Sequence, residues 1–405
     1  MKYSLISLLG FILLISFSFY GCKKADDDVK DLKIFKVAGL LPQSGALSNL
    51  GITSRFALEL GVTDVNNDFI SRGLPYRIEL SLYDSQLDTN VAKSLMQGLA
   101  SNGYRMFIGP WTSSELNAIK PLADSLGLLV VSPGSTSRSL VIPNDAIFRY
   151  CPGEEIVGTA LSNSLYNAGK RAAVTFSRND IATLGLQATF DSIFTSLGGV
   201  AVSAGSYPVS TTDFTQIIND VRNQIISMSA SYPLNEICVF YPSFNEAILL
   251  FNQASGDPVL TSVDWFGGVG FIKAPGLLSD TAAAEFALAT NFFSPETALP
   301  NSAQSIWQPL KAEIEIQSGL EADFYAFAAY DALKVMSKLF EINQGSLPAG
   351  SLLQMGFYNL SNQSNGATGP LSLDLAGDRS TGVFNYWGLV NNNGVYEWTI
   401  VGQSQ

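Results

Sequence analysis

The stretch Val130-Val131-Ser132-Pro133-Gly134-Ser135-Thr136-Ser137 is the part of this sequence that says most about its fold. It begins in an apolar run typical of a buried strand and continues directly into a glycine and four hydroxyl side chains. Ligands of open α/β sheets bind at the carboxyl ends of the strands. Glycine lets the backbone approach a ligand closely, and Ser135 and Thr136 can donate or accept hydrogen bonds. This serine loop (residues 132–137) therefore predicts a binding edge, although ordinary turn chemistry would also explain it.

A second strand end of the same kind lies one βα repeat earlier in the chain. Ile108-Gly109-Pro110-Trp111-Thr112-Ser113-Ser114-Glu115 predicts a strand, a glycine turn and the start of a helix. We expect Ser113 or Ser114 at the N-cap of that helix, beside unpaired backbone N–H groups and the positive end of the helix dipole. Such a place suits a carboxylate or another hydrogen-bond acceptor. Together the two strand ends favour one shared crevice.

The rest of the chain repeats this pattern of strand and helix. From residue 33, short apolar runs alternate with longer amphipathic stretches, and a second such series begins near Phe148. This alternation is typical of βα repeats with a parallel sheet, and 405 residues are enough for two packed domains. The sequence therefore predicts an α/β protein with two Rossmann-like lobes.

Composition excludes several classes of function. The chain has 23 Lys and Arg against 35 Asp and Glu, with no basic cluster, so we expect no nucleic-acid binding. It contains no His, so Ser-His-Asp and Cys-His triads cannot form, and zinc loses its commonest ligand. Chemistry based on carboxylates, lysine or Mg²⁺ is left open. No phosphate-binding loop motif is present, and we expect no enzyme activity, no cofactor and no metal.

The N-terminal residues predict export and lipid anchoring in the cell envelope. Lys2 precedes an apolar run over residues 5–19, which is too short to span a bilayer comfortably. The run ends at Gly21-Cys22, which resembles a lipobox, although Phe19 and Tyr20 depart from the usual residues. We expect residues 1–21 to be a signal peptide, Cys22 to carry lipid, and residues 22–32 to form a polar tether. The alternative is an ordinary signal peptide with a chance cysteine.

The other two cysteines have a different environment. Cys151 and Cys238 both lie in apolar stretches of sequence that resemble strands. Export permits a disulfide, but burial of two free thiols is the favoured interpretation.

Several motifs resemble one known family in their order along the chain. They cover residues 33–400 and include Gly39-Leu40-Leu41-Pro42, the serine loop, Phe148-Arg149, Ala329-Tyr330-Asp331-Ala332, Thr368-Gly369-Pro370 and Gly377-Asp378. The family is that of the branched-chain amino acid (Leu/Ile/Val) binding proteins of ABC transporters. The resemblance implies a type I periplasmic-binding fold, in which two lobes close on a small ligand.

The resemblance also implies how the chain is divided between the lobes. Three crossovers near Cys151, Phe293 and Gly369 would form the hinge. The N-terminal lobe would comprise residues 33–150 and 294–368, and the C-terminal lobe residues 151–293 and 369–405.

The family's site carries over only in part. The family's contacts to the carboxylate and ammonium in the N-terminal lobe fall on Ser113, Gly134, Ser135 and Thr136. Its other anchors fall on apolar residues: an aromatic residue aligns with Leu50, a tyrosine with Ile181 or Ala182, and the acidic partner of the ammonium aligns near Val269. A desolvated ammonium without a carboxylate costs several kcal/mol. We therefore expect a carboxylate-, amide- or peptide-like ligand with an apolar body. The predicted ligand-binding residues are Ser113, Ser114, Gly134, Ser135, Thr136, Trp111, Leu50, Ile181, Tyr241, Val269 and Tyr325.

Two functions are compatible with these features. The favoured hypothesis is a small-molecule receptor that is anchored by its lipid and delivers the ligand to an ABC permease. The alternative is a lipid-anchored activator of peptidoglycan synthases, which has the same fold. Residues 40–45 suit both, but such an activator has no need for the hydroxyl-rich serine loop.

Overall fold

The computed structural model describes residues 31–404. The predicted signal peptide (residues 1–21), the lipidation site Cys22 and most of the tether predicted over residues 22–32 lie outside the described residues. Of the helices in residues 31–404, none combines the length and the apolar character needed to cross a membrane.

Strands and helices alternate along most of the described chain. The strands are β1 (Lys33–Leu41), β2 (Tyr76–Asp84), β3 (Met106–Ile108), β4 (Leu129–Ser132), β5 (Ile147–Pro152), β6 (Ala172–Arg178), β7 (Val200–Tyr207), β8 (Ile237–Tyr241), β9 (Asp264–Gly267), β10 (Phe293–Thr297), β11 (Asn365–Gly366), β12 (Gly369–Pro370), β13 (Asp378–Arg379), β14 (Phe384–Asn392) and β15 (Val395–Gln403). The helices are α1 (Ser48–Ser71), α2 (Thr89–Ser101), α3 (Ser113–Leu126), α4 (Glu154–Asn167), α5 (Ile181–Ser196), α6 (Thr215–Ser229), α7 (Ala247–Ala254), α8 (Pro275–Ser279), α9 (Thr281–Ala289), α10 (Gln304–Ser318), α11 (Phe324–Ile342) and α12 (Ser351–Ser361).

Two large sheets organise these elements. The first sheet has the strand order β13-β5-β4-β3-β1-β2, and all of its pairings are parallel. The second has the order β15-β14-β10-β9-β8-β6-β7, and it is parallel except where β14 joins β10 and β15. We call each sheet with its helices a lobe. The prediction of two Rossmann-like lobes with parallel sheets is confirmed.

The central strands of each sheet are buried on both faces, which explains their continuous apolar runs. In β4, Leu129 and Val131 pack into one hydrophobic cluster and Val130 into the cluster on the opposite face. In β8, Val239 and Cys238 divide in the same way between the two clusters of the second lobe. Successive strand residues point to opposite faces, so helices on both sides find apolar partners.

The chain crosses between the sheets three times, and two crossings differ from the predicted positions. The first follows β5, which contains Cys151. The second follows Thr297 rather than Phe293, because β10 stays in the second sheet, where Phe293 pairs with Phe266. The third follows Arg379 rather than Gly369, because β13 pairs with β5 in the first sheet. Neither β10, which contains a proline, nor the two-residue β13 has a strand-like pattern of its own.

A buried ion pair fixes the third crossing. Arg149 in β5 is 1% exposed, and its Nε and Nη2 donate to the two carboxylate oxygens of Asp378 in β13, each at 2.5 Å. Its Nη1 donates to the carbonyl of Ser137 at 2.6 Å. One guanidinium therefore joins β5, β13 and the end of the serine loop. This arrangement gives a physical reason for the motifs Phe148-Arg149 and Gly377-Asp378.

A second buried carboxylate organises the segment before β13. Asp331 in α11 accepts hydrogen bonds from the backbone N–H groups of Ala367 (2.8 Å) and Thr368 (2.9 Å). It also accepts one from the Thr368 hydroxyl at 2.6 Å. Arg379 in turn donates to that hydroxyl at 2.9 Å. The motif around Asp331 and the Thr-Gly-Pro motif are therefore joined by hydrogen bonds in the folded protein.

The two cysteines of the described chain are free and buried, as predicted. Cys151 is 1% exposed and Cys238 is fully buried, and neither forms a disulfide. Burial raises the pKa of each thiol to about 12. Both therefore act as small apolar core residues.

We expect Asp378→Ala to lower the free energy of unfolding by about 3–5 kcal/mol, because Arg149 would remain charged and buried without its partner. Urea denaturation followed by circular dichroism measures the change. The control is Lys338→Ala, which removes an exposed pair with Glu341 (3.2 Å). That change should cost less than about 1 kcal/mol. Similar losses in the two variants would contradict the prediction.

Candidate functional site

The two lobes enclose a cavity at the carboxyl ends of their strands. This inner cavity has a volume of about 110 Å³. From the first lobe it is lined by Leu50, Trp111, Ser113, Gly134, Thr136 and Tyr325, among others. From the second lobe it is lined by Ala182, Thr183, Leu186, Phe244 and Val269, among others. Seven predicted site residues therefore meet here: Leu50, Trp111, Ser113, Gly134, Thr136, Val269 and Tyr325.

The N-cap of α3 is Thr112 and neither of the two serines predicted for it. The Thr112 hydroxyl accepts a hydrogen bond from the Glu115 backbone N–H at 3.3 Å, and it donates to Glu115 Oε2 at 2.6 Å. Glu115 Oε2 also accepts from the Thr112 backbone N–H, which completes a capping box. Since Thr112 caps the helix, the side chain of Ser113 is free for other contacts. Ser114 is exposed and does not line the cavity.

Serine hydroxyls hold the serine loop in place. Ser132 Oγ donates to the carbonyl of Pro110 at 2.7 Å and accepts from the Ser135 N–H at 3.1 Å. Ser113 Oγ lies 3.0 Å from Ser135 Oγ and accepts from the Ser137 N–H at 3.2 Å. Ser135 is fully buried behind the cavity wall, whereas Ser113 lines the cavity. Ser132 and Ser135 therefore shape the loop from behind.

Gly134 is required by the close approach of an indole ring. A Cβ atom at this position would lie 2.4 Å from ring atoms of Trp111. The Trp111 ring also meets Tyr325 edge to face, with centroids 4.9 Å apart. Trp111 and Tyr325 thus form one aromatic wall, and the absence of a side chain at Gly134 lets it pack against the loop.

Two predicted wall residues lie elsewhere. Tyr241 is fully buried in the core of the second lobe, where it stacks on Phe176 with centroids 4.3 Å apart. Its hydroxyl lies 2.5 Å from that of Tyr207. Ile181 is 37% exposed and does not line the cavity, although the next residue, Ala182, does. As the last residue of β8, Tyr241 points into one face of its sheet, and strand alternation alone cannot tell which face that is.

Phe244 supplies the aromatic contact that Tyr241 was expected to make. It follows β8 by three residues and lines the inner cavity from the second lobe. The rule that ligands lie beyond strand ends would have pointed to this residue.

A model of a known family matches this chain. The family is described as periplasmic binding protein, and the match spans residues 35–256, which is more than half of the sequence. The chain belongs to the periplasmic binding protein family.

Known structures resemble this periplasmic binding protein over most of its length. A leucine binding protein from Thermotoga maritima superposes with a TM-score of 0.70 at 20% identity, covering 91% of this chain and 98% of the other. A solute binding protein from R. palustris, solved with benzoate, gives 0.66 at 18% identity, covering 92% and 96%. An uncharacterized protein of Methanocaldococcus jannaschii is 24% identical, covering 91% of this chain and 89% of its own length. These solved structures support the type I periplasmic-binding fold.

The cleft of this binding protein has an uncharged part and a charged part. Within the described chain, no charged side chain lines the inner cavity. An outer cavity of about 360 Å³ adjoins it and shares Leu47, Leu50, Phe244, Val269, Gly270 and Tyr325 with it. Four carboxylates and two cations line the outer cavity: Glu246, Glu296, Glu321, Asp323, Arg178 and Lys273. In residues 31–404, no group of three or more Cys, Asp or Glu is placed to hold a metal ion.

A buried carboxyl group links the serine loop to the second lobe. Glu154, at the first turn of α4, is 1% exposed. Its backbone N–H donates to the carbonyl of Thr136 at 2.8 Å, and its Oε2 accepts from the Arg138 N–H at 2.8 Å. Burial raises the pKa of this carboxyl to about 8, although Arg138 and Arg149 act in the lowering direction.

We expect the stability of the protein to fall as pH rises from about 4.5 to about 8 because of Glu154. Its pKa in the folded protein is about 8, against 4.5 ordinarily. Its stabilising contribution is therefore complete at pH values below the ordinary pKa and is lost as pH rises through about 8. Glu154→Gln removes the titration. The melting temperature of this variant, relative to that of the wild type, should therefore rise as pH rises through this range.

Thermal melts over a pH series measure this difference. Glu155→Gln, at the exposed neighbouring position, is the matched control and should leave the pH profile unchanged. Parallel profiles for Glu154→Gln and the wild type would contradict the prediction.

Proposed function

We propose that this protein is an extracytoplasmic receptor that captures a small ligand between its lobes and delivers it to an ABC importer. The observation that carries the proposal is the inner cavity, which both lobes line and which combines apolar walls with hydroxyl groups. Ligand sites of this kind have mostly apolar linings and a few placed polar groups.

The chemistry of the inner cavity supports a carboxylate-, amide- or peptide-like ligand. Ser113 is the first residue of α3, so a ligand acceptor beside it would also meet the positive end of the helix dipole. Trp111, Leu50 and Val269 offer contacts to an apolar body. An ammonium group desolvated here would have no carboxylate partner, at a cost of several kcal/mol.

The solved structures support two ligand classes to test first. One similar protein is a leucine binding protein, and another was solved with benzoate. Benzoate has a carboxylate and an apolar ring without an ammonium group, and this combination matches the lining of the inner cavity. Aromatic carboxylates are therefore the first class in the proposed ligand set.

The lobes are also in contact at the mouth of the cleft. Lys273 of the second lobe lies 3.2 Å from Glu321 of the first, and it also pairs with Glu296 at 3.1 Å. Closure of two lobes on a ligand is a common motion of this fold class. We propose that the state described here is a closed one, in which the contact between Lys273 and Glu321 helps to hold the lobes together.

We expect Ser113→Ala combined with Thr136→Ala to weaken ligand binding by about 2–4 kcal/mol, because two hydrogen bonds to the ligand are lost. Thermal-shift screening of benzoate, benzamide, leucine and short peptides selects the ligand, and calorimetry measures its affinity. Ser114→Ala, at the exposed neighbouring position, is the control and should bind normally. An unchanged affinity in the double variant would remove the proposed site.

We also propose that Cys22 carries a lipid that anchors the exported protein to the cell envelope. The expected result is that Cys22→Ala moves the protein from the membrane fraction to the soluble fraction, because its attachment site is gone. Cell fractionation with detergent partitioning measures the shift, with the wild type as control. Retention of the variant in membranes would contradict lipid anchoring at this residue.

A further inference from the structure

The outer cavity contains a carboxylate without a cationic partner. Arg178 pairs with Asp180 (2.6 Å) and Glu246 (3.4 Å). Lys273 pairs with Glu296 and Glu321. For Asp323, no Lys or Arg nitrogen of the described chain lies within 4.0 Å. Each of the other carboxylates that line this cavity therefore has a cationic partner, and Asp323 has none within residues 31–404.

The position of Asp323 is fixed by the helix that it caps. Its Oδ1 accepts hydrogen bonds from the backbone N–H groups of Tyr325 (2.8 Å) and Ala326 (3.1 Å) at the start of α11. Its Oδ2 accepts from the Thr53 hydroxyl at 3.2 Å and retains a lone pair for another donor. Burial, together with the charge of Glu296, raises the pKa of this carboxyl to about 7. The raised pKa means that burial and Glu296 disfavour the ionised form of Asp323. A cation supplied from outside the chain would stabilise that ionised form.

The inner and outer cavities share part of their lining. Ser113 and Thr136 line the inner cavity only, and Asp323 lines the outer cavity only. Leu50, Phe244 and other apolar residues shared by the two cavities form the neck between them. A ligand that extends from Ser113 and Thr136 to Asp323 would therefore pass apolar side chains. Its inner end would meet hydroxyl groups, its middle apolar groups and its outer end a carboxylate.

We propose that Asp323 binds an ammonium or amidinium group at the outer end of an elongated ligand, whose inner end hydrogen-bonds at Ser113 and Thr136. This inference rests on the proposed function and narrows its ligand class. The ligand has an acceptor group at one end, an apolar middle and a cation at the other end. Such a molecule does not bring its ammonium into the uncharged inner cavity, and it neutralises the outer carboxylate.

The test uses three probes that differ only at the outer end. They are para-aminomethylbenzoate, para-hydroxymethylbenzoate and para-methylbenzoate, which carry a cation, a neutral polar group and an apolar group. Calorimetry on the purified protein measures their dissociation constants. We expect the amine to bind about 10-fold or more tightly than either analogue, because a charge-assisted hydrogen bond forms to a partly desolvated carboxylate.

Two variants separate the charge of Asp323 from its role in the fold. Asp323→Asn keeps an N-cap acceptor for α11 and removes the charge, so we expect the preference for the amine to disappear while para-methylbenzoate binds as before. Asp280→Asn makes the same change at the N-cap of α9, where Asp280 accepts from the Ala283 N–H at 3.0 Å. This control should keep the preference.

Several results would overturn the inference. They are equal affinity for the three probes, no measurable binding of the amine, or an undiminished preference in Asp323→Asn. The proposed function stands in these cases if any of the benzoates or screened ligands binds and if its affinity falls in the double variant Ser113→Ala with Thr136→Ala. It fails separately if the double variant leaves the binding of every such ligand unchanged.

Discussion

The buried ion pair between Arg149 and Asp378 holds the end of the serine loop, and through it one wall of the cleft, in place. It joins residues that are 229 positions apart in the sequence and links β5 to β13 at the edge of the first sheet. The same guanidinium donates to the carbonyl of Ser137 and so fixes the end of the serine loop. A buried charge that loses its partner is strongly destabilising, so these three segments are held in place together.

The serine loop connects this ion pair to the cleft. Ser132 and Ser135 use their hydroxyl groups to hold the loop from behind, and Gly134 leaves room for the indole of Trp111. The hydroxyl of Ser113 and the side chain of Thr136 then lie at the cavity. The division between hydroxyls that build the loop and hydroxyls that line the cavity arises from packing, since all are similar in the sequence.

Electrostatics then divides the cleft into two parts. Charges in a low-dielectric interior are costly unless they are paired, which agrees with an inner cavity that has no charged lining. The charged residues line the outer cavity, where each carboxylate except Asp323 pairs with Arg178 or Lys273 of the described chain. Glu154 is a buried carboxyl at the contact between the lobes, and its raised pKa makes the stability of the folded protein fall as pH rises from about 4.5 to about 8.

The α/β class, the two lobes and the burial of both thiols could be predicted from the sequence, and so could the strand-end loops that carry Trp111, Ser113, Gly134 and Thr136, because these features follow from local periodicity and turn chemistry. The folded structure was needed to show that Tyr241 points into a core, that Thr112 caps α3 and that β13 joins the first sheet. It was also needed to show that Asp323 has no Lys or Arg partner within residues 31–404. These facts depend on which distant segments pack together, and no local pattern encodes the face of a sheet or the partner of a charge.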